Sequence, residues 1–218
     1  MISIFRFRDT DRKRRDERTL GAFRACYGED APLPRIRRTD KGKPFFDSED
    51  GRPVPYFSVT DSGDWWLIAF SEKQIGIDLQ QCLVHGEKSL DQQAERCLKI
   101  AGRFFHPEEM KYLSTLSQDG PEKVIRGFFR IWTASEAYLK LRGSGIDASF
   151  RSLNVMRPIP GIEFAYPDWD TSRGEYMLCV CSEKIAADGM EDKKQTDEII
   201  LYDMPAGGNI HGVQTDRI

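Results

Sequence analysis

Residues 55–79 read PYFSVTDSGDWWLIAFSEKQIGIDL, and no other stretch of the chain restricts the fold as tightly. Two apolar runs flank a Thr-Asp-Ser-Gly-Asp turn, the pattern of a β-hairpin. The second run, residues 65–70, is apolar without interruption, which predicts a strand covered on both faces. SEKQ supplies another tight turn, and residues 75–79 form a third expected strand whose C-terminal end carries Asp78.

Helical patterns lie on both sides of these strands. Ile2, Ile4, Phe5 and Phe7 read as a first strand, and a helix over residues 10–27 stops at Gly28. A basic, proline-rich segment, PLPRIRRTDKGKPFF, leads into the hairpin. Beyond it, DQQAERCLKIAGRFF and PEEMKYLSTL are helical, the latter with Pro107 in the first turn. A long helix over residues 121–142 is closed by Gly143, with Val124, Phe128, Ile131, Trp132 and Tyr138 at helical spacing. SLNVM, GIEFAYP and EYMLCVCS alternate like antiparallel strands, and the last thirty residues read as a loose tail with one short strand in EIILYDM. Two halves of mixed β and α elements would then meet near Ser71.

The chain has 218 residues, enough for one domain or two small ones with a real core. With 39% hydrophobic residues, 31% charged and a net charge of −3, it reads as a soluble globular protein. No run of eighteen apolar residues occurs, and MISIFRFRDTDRKRR places apolar residues before the charges, the reverse of a secretory signal, so a cytoplasmic location and no membrane partner are expected. Cys26, Cys82, Cys97, Cys179 and Cys181 are scattered and odd in number, which supports neither a disulfide framework nor a zinc site. Only His85, His106 and His211 are present, so a metal here would be a hard cation held by oxygen. Residues 1–43 hold 13 Lys and Arg against seven Asp and Glu, an excess of +6 that suits phosphate as well as a solvated helix face. Without a basic and aromatic module in a net acidic chain, no nucleic-acid partner is expected.

The long helix carries RIWTASEAYLKLRGSG, in which Glu136 and Lys140 are four apart and share a face, with Trp132 and Thr133 one turn earlier. Alone, this is equally a surface ion pair worth about 0.3 to 0.5 kcal/mol. Asp78 alone is equally an acid capping a strand. Taken together, a strand-end Asp and a helix-borne Glu can hold one magnesium completed by water and substrate phosphates, with Lys140 facing the phosphate. That chemistry is metal-assisted attack at phosphorus and leaves hydrolase and transferase both open.

In order along the chain, GKPFF, FSVTDSGDWWLIAF, IGIDLQ, RFFHPEE and FFRIWTASEAYLKLRGSGI resemble the surfactin-type 4′-phosphopantetheinyl transferases of the holo-acyl-carrier-protein synthase superfamily. The resemblance runs over residues 12–181 and rests on two signatures together: Gly-Ile-Asp, then Trp-x-x-x-Glu-Ala-x-x-x-Lys, whose Trp132 follows Asp78 by 54 residues. It implies an α+β fold of two similar subdomains related by a pseudo-twofold, with the active site in the cleft between them. The expected division is an N-terminal subdomain over residues 1–72, a C-terminal subdomain over 73–187 and a tail over 188–218. It also implies an enzyme that moves phosphopantetheine from coenzyme A to a serine of an acyl or peptidyl carrier protein, leaving 3′,5′-ADP, with Mg2+ as cofactor and a monomer as the working form.

Site residues follow position by position. Asp78 resembles the metal ligand of the first signature. Glu136 resembles the glutamate that touches the metal and takes the serine proton, and Lys140 the lysine on the reacting phosphate. Arg18, Thr19 and Lys43 fall where the family holds the nucleotide and its 3′-phosphate, and Thr60 and Asp61 where it meets coenzyme A. Three departures stand out: Asp61 replaces a histidine that meets phosphate, Gln80 replaces a second carboxylate at the metal, and Ser135 replaces a lysine before the catalytic glutamate. These departures motivate a second reading, a coenzyme A-binding protein of the same fold with weakened catalysis. A third is a metal-dependent phosphohydrolase on an unrelated scaffold. Phe104, Phe105 and Tyr112 are expected to pack the core or receive the carrier.

Overall fold

A computed structural model of the chain describes residues 1–8, 11–48, 51–82, 89–145, 148–168, 175–184, 197–204 and 215–217. Strand β1 (Ile2–Phe7) is followed by a 3-10 turn at Arg12–Arg14 and helix α1 (Arg15–Tyr27). The basic, proline-rich stretch is itself a hairpin, β2 (Arg35–Arg38) with β3 (Pro44–Asp47), whose loop closes through Thr39 and turns at Gly42 with φ +82°. Then come β4 (Tyr56–Ser62), β5 (Trp65–Ser71) and β6 (Ile75–Gln81), where the hairpin and third strand were expected.

Three helices follow: α2 (Leu90–Phe104), α3 (Pro107–Leu116) and α4 (Pro121–Arg142). Their ends are set by residue chemistry. Ser89 and Gln92 form a reciprocal capping box on α2, His106 and Glu109 do the same on α3, and Gly143 closes α4 in the left-handed region at φ 66°. The chain returns through a 3-10 turn (Ala148–Ser152), β7 (Ile162–Ala165), β8 (Tyr176–Glu183), β9 (Ile199–Met204) and β10 (Thr215–Arg217).

Besides the β2–β3 hairpin, the described residues form two larger sheets, a five-stranded one in the order β10-β9-β1-β5-β4 and a three-stranded one in the order β6-β8-β7. They stack face to face, burying Ile2, Ile4, Leu67 and Ala69 from the first against Ile75, Ile77, Leu79, Leu178 and Val180 from the second. α1 covers the outer face of the larger sheet, packing Phe23 against Phe46 and Phe70. α4 covers the outer face of the smaller one through Ala134, Ala137 and Leu141 on Cys179 and Cys181, and α2 and α3 lie against α4. The continuously apolar β5 is thus covered on both faces, as its composition demands.

Three differences from the sequence reading have physical causes. Asp78 lies in the middle of β6 rather than at its end, because Gln80 and Gln81 continue the ladder opposite Met177 and Tyr176 of β8. SLNVM is not a strand. Its backbone is claimed elsewhere, the Val155 N–H donating to buried Glu109 Oε1 at 2.8 Å and the Met156 N–H to Asn154 Oδ1 at 3.1 Å. Finally, the strand in the tail, β9, runs parallel to β1 inside the larger sheet, with Ile199 opposite Ile2 and Met204 opposite Phe7. Among the described residues no helix is long and apolar enough to cross a membrane.

Candidate functional site

Gly76 makes the site possible. It lies on the face of β6 turned toward α4, where an added Cβ would run into the Ala137 carbonyl oxygen and the Leu141 amide nitrogen. Without a side chain there, the strand approaches the helix backbone directly. Period-two alternation puts Asp78 and Gln80 on that same face. Glu136 and Lys140 occupy the facing turns of α4.

Asp78 is buried and its two oxygens are both engaged. Oδ1 accepts from Lys140 Nζ at 2.7 Å and from the Thr60 hydroxyl at 3.2 Å, and Oδ2 accepts from Gln80 Nε2 at 3.0 Å. The Gln80 amide nitrogen, rather than its oxygen, therefore faces Asp78. Burial pushes the Glu136 carboxyl up to about 7, the charge on Asp78 adds to the push, and Lys140 opposes it. A carboxyl held there is poised to exchange a proton near neutrality.

Thr60 belongs to a wider arrangement. Ser58, Thr60 and Ser62 alternate along β4, and their hydroxyls accept from the N–H groups of Ile77, Leu79 and Gln81 in β6 at 3.1, 3.0 and 2.8 Å. One edge strand of the larger sheet thus satisfies one edge strand of the smaller through side chains.

Beside this seam lies a cleft of about 250 Å³, lined among others by Lys41, Lys43, Phe57, Val59, Glu136 and Lys140. The β2–β3 loop is tied to the end of α4, Lys43 Nζ donating to the Leu141 carbonyl at 2.9 Å and Lys41 Nζ to the Ser144 carbonyl at 2.8 Å. Burial lowers the pKa of Lys43. A larger hollow of about 470 Å³, bordered by Phe23, Leu33, Pro34, Arg35, Arg52 and Val54, includes none of Asp78, Glu136 or Lys140.

The remaining sequence candidates fall in distinct places. Arg18 is buried on α1, its guanidinium 5.9 Å from the Phe7 ring, and the Thr19 hydroxyl donates to the Arg15 carbonyl at 2.9 Å. Neither residue borders the cleft. Asp61 accepts from Arg15 Nη2 at 2.6 Å, so the acid at this position has a cationic partner. Ser135 is buried within α4. Phe105 and Trp132 pack with Phe128 and Phe150, Phe104 sits edge-on to Trp132, and Tyr112 is exposed. His85 and His211 lie outside the described residues. Among the described residues no group of three or more His, Cys, Asp or Glu is gathered to hold a metal, so any site here relies on two carboxylates with an amide. Sequence reasoning missed Gly76, Arg15, Lys41 and the hydroxyls of Ser58 and Ser62. The alternating hydroxyls and the lone glycine inside a strand were the available signals.

Comparison with known proteins gives a consistent picture. The family model described as the 4′-phosphopantetheinyl transferase superfamily matches residues 74–185, just over half of the chain. The chain is 30% identical over 111 residues to a 4′-phosphopantetheinyl transferase of Aneurinibacillus migulanus, covering 51% of this chain and 39% of that protein. It is 30% identical over 158 residues to one of Bacillus pumilus (65% and 62%), and 28% identical over 179 residues to one of Bacillus subtilis (77% and 72%). Across the curated relatives first matched, the chain spans about half of their length.

Proposed function

From the premise that the chain belongs to the 4′-phosphopantetheinyl transferase superfamily, we propose that it transfers 4′-phosphopantetheine from coenzyme A to a serine of an apo acyl or peptidyl carrier protein, releasing 3′,5′-ADP. The observation that supports this most is the meeting of Asp78, Glu136 and Lys140 across the Gly76 contact, beside a cleft bordered by two further lysines, Lys41 and Lys43.

In this reading the serine Oγ bonds to the pantetheine-bearing phosphorus while the bond from that phosphorus to the bridging oxygen of the pyrophosphate breaks. Glu136 takes the serine proton, and its ionised form is available above about pH 7. Lys140 stabilises charge on the transferring phosphate. Lys43, with Arg18 and Thr19, holds the nucleotide end, and Thr60 positions Asp78. Asp78 and Glu136 are hard oxygen donors, and the charge on Asp78 raises the cost of charge on Glu136, so the pair fits a divalent cation, to which Gln80 would add its amide oxygen by turning its nitrogen away from Asp78. Mg2+ bound there supplies positive charge against the pyrophosphate.

The same reading carries two halves, residues 1–72 and 73–187, related by a pseudo-twofold and joined where β4 meets β6, and a tail over 188–218 from which β9 pairs with β1. It also carries a cytoplasmic monomer without nucleic-acid or membrane partners. The test is intact mass. Apo carriers from fatty-acid, polyketide and peptide synthesis, incubated with this protein, Mg2+ and coenzyme A, gain one phosphopantetheine on at least one member, and no gain on any member refutes the reading. The alternative of a catalytically weakened coenzyme A-binding protein draws on the Gln80 amide nitrogen facing Asp78. Calorimetric binding of coenzyme A without transfer to any carrier supports it.

A further inference from the structure

Asp78 has only 4% of its side chain exposed, and a buried carboxylate without a cation beside it is costly. The cation at hand is Lys140, whose Nζ donates to Oδ1 at 2.7 Å. The other two donors on this carboxylate, the Thr60 hydroxyl on Oδ1 and the Gln80 amide on Oδ2, are neutral. Lys140 is therefore what balances the charge of Asp78. The two partners differ in their freedom to move. Asp78 sits in the β6 ladder, and Thr60 beside it also accepts from the Leu79 N–H. Lys140 keeps 31% of its side chain exposed and borders the cleft with Glu136, and its four-carbon stem lets the ammonium swing while its Cα stays in α4.

A divalent cation held by Asp78 competes with this arrangement. It has the same sign as the ammonium, repels it at short range in a site shielded from water, and relieves the carboxylate of its need for a counter-ion. We propose that Lys140 is an exchangeable counter-ion: its ammonium and a divalent cation take Asp78 in turn, and the ammonium that leaves turns into the cleft toward the phosphates of the donor. The assignment rests on the reading of Asp78 and Glu136 as cation ligands. Lys140 then opposes the metal while no phosphate is present, and a phosphate that draws the lysine outward clears the carboxylate, so each binding event helps the other. The buried acid is neutralised at every stage, and the protein holds the metal tightly only together with the donor. The lysine thus sets the metal affinity in addition to any contact it makes with phosphate.

The test uses the whole protein with Mn2+ as probe, read by the loss of the electron paramagnetic resonance signal of the free ion. Without coenzyme A, Lys140→Met binds Mn2+ about 10-fold more tightly than the unaltered protein. Lys140→Gln gives the same gain and stands in where Lys140→Met does not fold, as melting curves show. Lys140→Arg, which keeps the charge, gives no gain. Coenzyme A raises the Mn2+ affinity by a larger factor in the unaltered protein than in Lys140→Met. Adding Asp78→Asn to each protein removes the binding, which ties the ion to this carboxylate. If Lys140→Met and Lys140→Gln bind Mn2+ through Asp78 no more tightly than the unaltered protein, the exchange is overturned and the cation site stands. An equal gain in Lys140→Arg overturns it in the same way. If none of the proteins binds Mn2+, with or without coenzyme A, the reading of Asp78 and Glu136 as cation ligands has failed and the exchange with it.

Discussion

Strand β6 is held along its two edges by different means. Toward β8 it makes an antiparallel ladder over seven residue pairs, in which backbone bonds backbone and the side chains are free to vary. Toward β4 it makes three bonds in which hydroxyls accept from its N–H groups. A ladder tolerates substitution because every residue brings the same donor and acceptor. The seam depends on Ser58, Thr60 and Ser62 by name, and one of these, Thr60, also bonds the carboxylate at the centre of the site. The junction of the two sheets and the electrostatics around Asp78 therefore meet in Thr60, whereas the β8 edge supplies support and the α4 face the groups proposed for catalysis.

The sharpest way to break this arrangement is at the α4 face. Gly76→Val drives a side chain into the backbone of α4, which cannot give way, and is expected to cost at least about 3 kcal/mol in urea unfolding and to abolish transfer. Thr60→Val removes both the acceptor for the Leu79 N–H and the donor to Asp78, leaving a buried amide unpaired. About 2 kcal/mol is expected, with faster hydrogen exchange at Leu79 and unchanged exchange at amides bonded to β8.

Glu136→Gln tests the site rather than the seam. The folded pKa of Glu136, about 7, exceeds its ordinary value of 4.5, so its ionised form opposes folding. The proton-linked stability is fully present below pH 4.5 and is lost as pH rises through 7. Glu136→Gln, which stays neutral, is thus expected to exceed the unaltered protein by about 2 kcal/mol at pH 8 in chelator and to lose that advantage at pH 4.5, read by thermal melts at both. The smallest effect belongs to Ser58→Ala, about 1 kcal/mol, confined to exchange at Ile77. An equal loss from any β8 substitution that keeps its backbone intact would erase the contrast between the two edges.

Local chemistry was legible in the chain. The Thr-Asp-Ser-Gly-Asp turn, Pro107, Pro121 and Gly143 each act on their own neighbours, and β4, β5, α3 and α4 begin and end where those residues dictate. What needed the third dimension was every pairing between distant segments. Asp78 sits mid-strand because Met177 and Tyr176 arrive from far along the chain to extend the ladder. β9 closes on β1 across almost the whole length of the chain. SLNVM alternates like a strand but loses its backbone to Glu109. At the site, Asp78, Glu136 and Lys140 were singled out through their spacing and the family signatures. The acid at 61 looked like a defect in sequence because its partner, Arg15, lies 46 residues earlier on another element.

The central claim is that Glu136 acts as the base for transfer in a cleft assembled by β4, β6 and α4. The most direct measurement is the single-turnover rate at which an apo carrier accepted by the unaltered protein gains phosphopantetheine from coenzyme A, followed by intact mass for that protein and for Glu136→Gln under conditions where both are folded and saturated with coenzyme A. The account predicts that Glu136→Gln is slower by at least about 100-fold. A Glu136→Gln protein that modifies the carrier at the unaltered rate would contradict it.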